Sequence, residues 1–155
     1  MSHSIYISDL LKDRFPEVYS NLLSAFKTVG VQILELAHTR DVWCRDFMPI
    51  RSANRDWVQF DFDPKYLKEG KYLNLKTDPV YVLKELDLEH RRSPIKLEGG
   101  NFIRYGTHGV LTERVFEENP TFSNSQLIAK IQEELGLDKV TIVPRQPYDY
   151  TGHVD

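Results

Sequence analysis

Cysteine is the scarcest reactive side chain here, since Cys44 is the only one among 155 residues. A disulfide within the chain is therefore excluded, and the composition fits a reducing compartment. Also missing is any apolar run near the roughly twenty residues that span a bilayer. Met1-Ser2-His3-Ser4 lacks the charged, apolar and small-residue regions of a secretory leader, and the expectation is a soluble cytoplasmic protein with no membrane partner. Positive charge is not in excess, with 20 Lys and Arg against 23 Asp and Glu. The nearest basic cluster, His90-Arg91-Arg92, is short, flanked by acids and reads as a solvated loop, so no nucleic-acid partner is expected. Low complexity and disorder are excluded too, because 41% of the residues are hydrophobic and only 28% charged.

What is present reads as an α/β chain of one ordinary domain's length. Val18, Leu22, Leu23, Phe26 and Val29 recur at helical spacing over 16–29, with Pro16 in the first turn, and predict an amphipathic helix that Gly30 ends. A strand is predicted over 31–36, a loop over 39–49 and a half-buried alternating strand over 57–62. The Lys, Tyr and Gly content of 63–77 predicts an exposed excursion over the site or the surface. Asp78-Pro79 starts a second helix with Val80, Leu83 and Leu86 on one face, followed by a short strand over 93–97. Strands over 102–105 and 109–112 flank a hairpin turn at Gly106-Thr107-His108-Gly109. The last helix is capped by Ser123 or Ser125, buries Leu127, Ile128, Ile131 and Leu135, and stops at Gly136 before a strand over 140–143. Helix, glycine, strand and polar loop thus recur as an internal repeat, and such repeats bury a continuous core only beside their neighbours.

Asp46, Glu98, His153 and Asp155 each follow a predicted strand. A planar cation such as guanidinium is best held by carboxylates that accept parallel N–H bonds, a task that suits two aspartates. A further carboxylate beside an imidazole suits proton transfer near neutral pH. The glycines after Glu98 fit close backbone approach to a ligand or positive φ. Each piece has a plain structural alternative: a surface Arg45-Asp46 ion pair, a turn at Glu98-Gly99-Gly100, a packed His153, and Trp43 as a partly buried anchor. Their order along one chain is what points to a site.

Asp41-Val42-Trp43-Cys44-Arg45-Asp46-Phe47-Met48-Pro49, Leu97-Glu98-Gly99-Gly100-Asn101-Phe102, Thr112-Glu113-Arg114 with Asn119-Pro120, and Thr151-Gly152-His153-Val154-Asp155 together resemble the agmatine deiminase, or bacterial-type peptidylarginine deiminase, family of the guanidine-modifying pentein superfamily. The resemblance implies that residues 1–155 form a single partial domain, the N-terminal part of an α/β propeller of ββαβ units, with somewhat fewer than three of five blades. It implies guanidinium hydrolysis without a cofactor or metal, with Asp46 and Asp155 gripping the substrate and Glu98 and His153 handling protons. Trp43 would line the pocket. The implied ligands are a small guanidine such as agmatine, or peptidylarginine. Met48 stands where the family often has glycine, which affects the pocket mouth, and the family's late catalytic cysteine has no counterpart.

Extended geometry would place Cys44 and Asp46 on one side, yet Cys44 reads as a packing residue because the family's nucleophile sits on a different blade. The expectation is a chain inactive alone that needs a missing C-terminal half or self-association. The competing readings are a non-catalytic guanidine-binding or interaction module, and an α/β repeat whose polar residues are structural. A reading frame downstream of Asp155 with further helix–strand repeats and a late cysteine favours the enzyme.

Overall fold

The computed structural model describes residues 4–68 and 70–155. The reading of Met1-Ser2-His3, and Glu69 within 63–77, lie outside the described residues. The chain gathers into two compact units, Met1–Cys44 with Asn74–Leu88, and Arg45–Leu73 with Glu89–Asp155.

In the first unit β1 (Ser4–Ser8) pairs in parallel with β2 (Gln32–Leu36). A parallel pair requires a crossover, which α1 (Leu11–Arg14) and α2 (Pro16–Thr28) supply. Pro16 opens α2, and Gly30 at φ +69° turns the chain toward β2. The helix forms as its periodicity predicts, but its apolar stripe is covered only in part, Leu22 and Phe26 being half-buried. No residue of α2 is buried, and Val18 and Leu23 are 49% and 40% exposed. The Ser8 and Thr39 hydroxyls meet at 2.6 Å, and Arg40 N donates to Thr77 Oγ1. The helix Pro79–Leu86, α4 after the one-turn α3 described below, is capped by Asp78, which accepts from Val80 N. It buries Val82 and Leu83 while Val80 is exposed, so its buried face is rotated from the predicted one.

The second unit holds two three-stranded sheets. In the first, β3 (Ile50–Arg51) runs antiparallel to β4 (Trp57–Asp61), and β4 parallel to β5 (Arg91–Lys96). In the second, β6 (Ile103–Tyr105) runs antiparallel to β7 (His108–Thr112), and β7 parallel to β8 (Lys139–Val143). Twice, then, the chain order is hairpin, helix, parallel strand. The helix of the second repeat is α6 (Asn124–Leu135), preceded by the short α5 (Arg114–Glu118). Ser123, not Ser125, caps α6 through a reciprocal bond with Gln126, and Gly136 ends it at φ +63°.

Val58, Phe60, Ile95, Leu97, Phe102, Leu111, Leu127, Ile131 and Leu135 form the core. The strand at 57–62 is not half-buried: Gln59 is buried with Val58 and Phe60, and its amide donates to the Phe47 and Phe60 carbonyls. The 63–77 segment is exposed only in part. It contains 3-10 turns at Lys65–Lys68 and Leu73–Leu75, buries Pro64 and Leu67, and half-buries Tyr66. Among the described residues no helix is long and apolar enough to cross a membrane.

Candidate functional site

Three segments of the second unit converge. Glu98 follows β5 and leads into the 3-10 turn Gly99–Asn101. Asp46 comes from α3 (Cys44–Phe47), a helical turn within the segment that reads as loop. His153 lies in the segment after β8. Its Nε2 is 2.8 Å from Glu98 Oε2, and its Nδ1 is 3.8 Å from Asp46 Oδ1. All three side chains are largely screened from solvent.

The backbone around them is fixed by polar side chains that sequence reasoning passed over. Buried Asn101 accepts from Thr112 N, and the Thr112 hydroxyl lies 2.8 Å from Asn101 Oδ1 and 2.6 Å from the Gly152 carbonyl. That chain of contacts ties the Glu98 turn to the His153 segment. Asp149 accepts from Thr151 N, the Thr151 hydroxyl and His153 N, which an Asx-type turn signal at Asp149 could have flagged. Val154 N and Asp155 N both donate to the Gly100 carbonyl.

Arg45 is not in a surface pair with its neighbour. Its Nε donates to the Gly99 carbonyl and its Nη2 to the Phe102 carbonyl, and the same Nε lies 3.1 Å from Asp155 Oδ2. Asp155 is therefore already in contact with a guanidinium, the chain's own. Trp43 belongs to the first unit and is 69% exposed.

The glycine pair does not serve φ, since neither Gly99 nor Gly100 has a positive value. A Cβ on Gly99 would collide with the Arg45 carbonyl oxygen, and one on Gly100 with His153 Nδ1 and, at 2.6 Å, Asp46 Oδ1. The close approach is by the protein's own groups.

Burial pushes the Asp46 carboxyl up to about 6, against the pull of the His153 charge and with help from Glu98. Burial works against the His153 imidazolium, but the Glu98 hydrogen bond and the Asp46 charge outweigh it, so His153 titrates above its ordinary value. A carboxyl raised on folding stabilises the folded state only below its unfolded value, and that contribution is lost as pH rises toward about 6. Asp46→Asn is thus expected to stabilise the chain by about 2 kcal/mol at pH 8. The gain should grow between about pH 4 and 6 and then level off, as urea unfolding at several pH values would show. A gain that does not change with pH would contradict the burial of this charge.

Cys44 is half-buried, and burial pushes its thiol up to about 12, with the Asp9 and Asp41 charges adding to the effect. In a helical turn, residues two apart do not share a face, so the extended alternation that aligned Cys44 with Asp46 does not apply. Among the described residues no cluster of His, Cys, Asp and Glu could hold a metal ion.

No curated protein matches the chain by sequence. Solved structures do match. C. jejuni agmatine deiminase superposes with TM-score 0.69 at 17% identity, covering 99% of this chain and 56% of that one. Enterococcus faecalis agmatine deiminase gives 0.69 at 18%, covering 99% and 54%. Pseudomonas aeruginosa DDAH gives 0.57 at 16%, covering 95% and 62%. The chain spans about half the length of these agmatine deiminases, and its α/β fold is pentein-like. The sequence model of the Porphyromonas-type peptidyl-arginine deiminase family matches residues 9–155, and the chain belongs to that family.

Proposed function

We propose that this chain supplies the guanidinium-binding and proton-handling groups of a guanidine deiminase, a hydrolase acting on the C–N bonds of a linear amidine. Agmatine is the first substrate candidate and peptidylarginine its sibling. The observation that supports the reading is the 2.8 Å contact of His153 with Glu98 beside Asp46. A buried carboxyl that stays near 6 although His153 lies 3.8 Å away is under-compensated, and a bound guanidinium would compensate it through short charge-assisted bonds. Asp155 would join Asp46 by exchanging Arg45 for the substrate.

In the parent reaction a cysteine thiolate adds to the guanidinium carbon. The C–N bond breaks and ammonia departs with a proton from His153. Water, deprotonated by the imidazole, then displaces the thiolate to give the ureido product. Residues 1–155 would be one partial domain, with somewhat fewer than three of five propeller blades. The exposed Val18 and Leu23 of α2 support a partner in the remaining half of the enzyme or a second copy. Trp43 is assigned to the pocket wall by family resemblance alone.

Calorimetric titration of the chain with agmatine at pH 7.5 tests the reading. Asp46→Asn is expected to weaken binding by about tenfold or more, the value of a charged hydrogen-bond partner. Wild-type affinity should also fall as pH drops below about 6, where Asp46 protonates. Affinity indifferent to both the substitution and pH would sink it.

A further inference from the structure

Arg114 is among the few buried charged side chains, and the chemistry assigned to Glu98 and His153 makes no direct use of it. It opens α5 directly after β7. Its Nη2 lies 3.0 Å from Glu118 Oε1 and 3.8 Å from Glu98 Oε1, and its Nη1 is 3.4 Å from the Tyr150 carbonyl. The guanidinium sits over the Tyr66 ring, 5.2 Å from its centroid, and that ring meets His153 edge-on at 6.3 Å. The Tyr66 hydroxyl is directed at Glu98. Gly152 keeps the space clear, because a Cβ there would lie 2.9 Å from Arg114 Cδ. One buried cation is thus shared by two carboxylates, and the one nearer the imidazole turns its other oxygen to His153.

We propose that Arg114, with Tyr66 beside it, is a positioning residue that holds Glu98 by Oε1 so that Oε2 serves His153, while Glu118 sets how much of the Arg114 charge reaches Glu98. The proposal rests on the reading of Glu98 and His153 as the proton-handling pair, and it gives that pair a regulator of proton affinity. A carboxylate bound on one side by a guanidinium pulls less strongly on an imidazolium on the other. The groups facing His153 are the Glu98, Asp46 and Asp155 carboxylates, the Tyr66 ring, and Asp149 through the backbone N–H. Arg114 therefore acts on His153 through Glu98.

The consequence is a pair of opposite signs from two residues one turn apart on the same helix. Removing the Arg114 charge leaves Glu98 uncompensated, so His153 keeps its proton to higher pH. Removing the Glu118 charge turns Arg114 wholly toward Glu98, so His153 loses its proton at lower pH.

The test is an NMR titration of the His153 imidazole in the chain itself, assigned among the five histidines by loss of its signal in His153→Gln. Arg114→Met is expected to raise the midpoint by about one pH unit, Arg114→Lys to return it most of the way, and Glu118→Gln to lower it. If Arg114→Met does not fold, the near-isosteric Tyr66→Phe and Glu118→Gln carry the sign test, with Tyr66→Phe raising the midpoint by removing a donor from Glu98. Midpoints that stay put, or shift the same way in the arginine and glutamate variants, overturn the proposal. No guanidine enters the measurement, so a chain that binds no agmatine but shows the opposite shifts refutes the proposed function and keeps this coupling.

Discussion

Purified alone, the chain is expected to release no ammonia from agmatine above background. Covalent deimination needs a thiolate in line with the guanidinium carbon, and the only thiol here is Cys44. With its pKa pushed up to about 12 by burial, a minute fraction of Cys44 is ionised at neutral pH. Reactive cysteines have a nearby cation that lowers the thiol pKa. The charges acting on Cys44 are instead those of Asp9 and Asp41, which raise it. Loss of a nucleophile typically removes several orders of magnitude of rate while binding groups stay in place, so agmatine binding without turnover is the expected pair of results. Sustained ammonia release that Cys44→Ser abolishes would overturn both the assignment of Cys44 to packing and the need for a nucleophile from outside this sequence.

How much of this was legible beforehand divides along range. Signals that act within a few residues could be read directly: Asp78 capping α4, Ser123 and Gln126 closing their reciprocal cap, and Gly30 and Gly136 stopping helices at positive φ. Glu98, Asp46 and His153 were visible because each follows a strand in a motif of distinctive composition. Burial was harder. The stripe of α2 is written plainly in Val18, Leu22, Leu23 and Phe26, but periodicity says which face is apolar and not whether another layer covers it. The 63–77 segment reads as exposed from its Lys, Tyr and Gly content. Lys65 and Lys68 do reach outward, to the Glu117 carbonyl and Asp63, while Tyr66 and Leu67 between them turn inward.

The supporting residues of the site were the least legible. Arg114 and Glu118 are four apart, a spacing that marks an ion pair on any helix, but nothing local says that the pair is buried against Glu98. Asn101, Thr112 and Gly152 meet across intervals of 11 and 40 residues, and only the topology of β7 and β8 brings them together.

The Gly99-Gly100 pair gives the largest separable effects on stability and on the site. Both residues sit in a 3-10 turn without positive φ, so alanine is conformationally acceptable at each and the consequences come from packing. At Gly99 the obstacle is backbone: the added methyl would overlap the Arg45 carbonyl oxygen and lie 2.9 Å from its carbon. The Arg45 side chain at the same time holds the Gly99 carbonyl at 3.0 Å, so the turn cannot back away without breaking that bond. Gly99→Ala is therefore expected to lower unfolding free energy by about 3 kcal/mol, at the upper end of overpacking costs, measured by urea denaturation. At Gly100 the obstacles are side chains, His153 Nδ1 and Asp46 Oδ1, which can swing aside. Gly100→Ala should accordingly keep most of the stability while parting the imidazole from its carboxylates. The His153 midpoint would then fall toward its ordinary value, since Glu98 and Asp46 are what hold it up. The test of the packing argument is the contrast. A Gly100→Ala chain whose His153 titrates unchanged, or a Gly99→Ala chain as stable as the parent, would mean that the turn does not seat against Arg45, Asp46 and His153 as described.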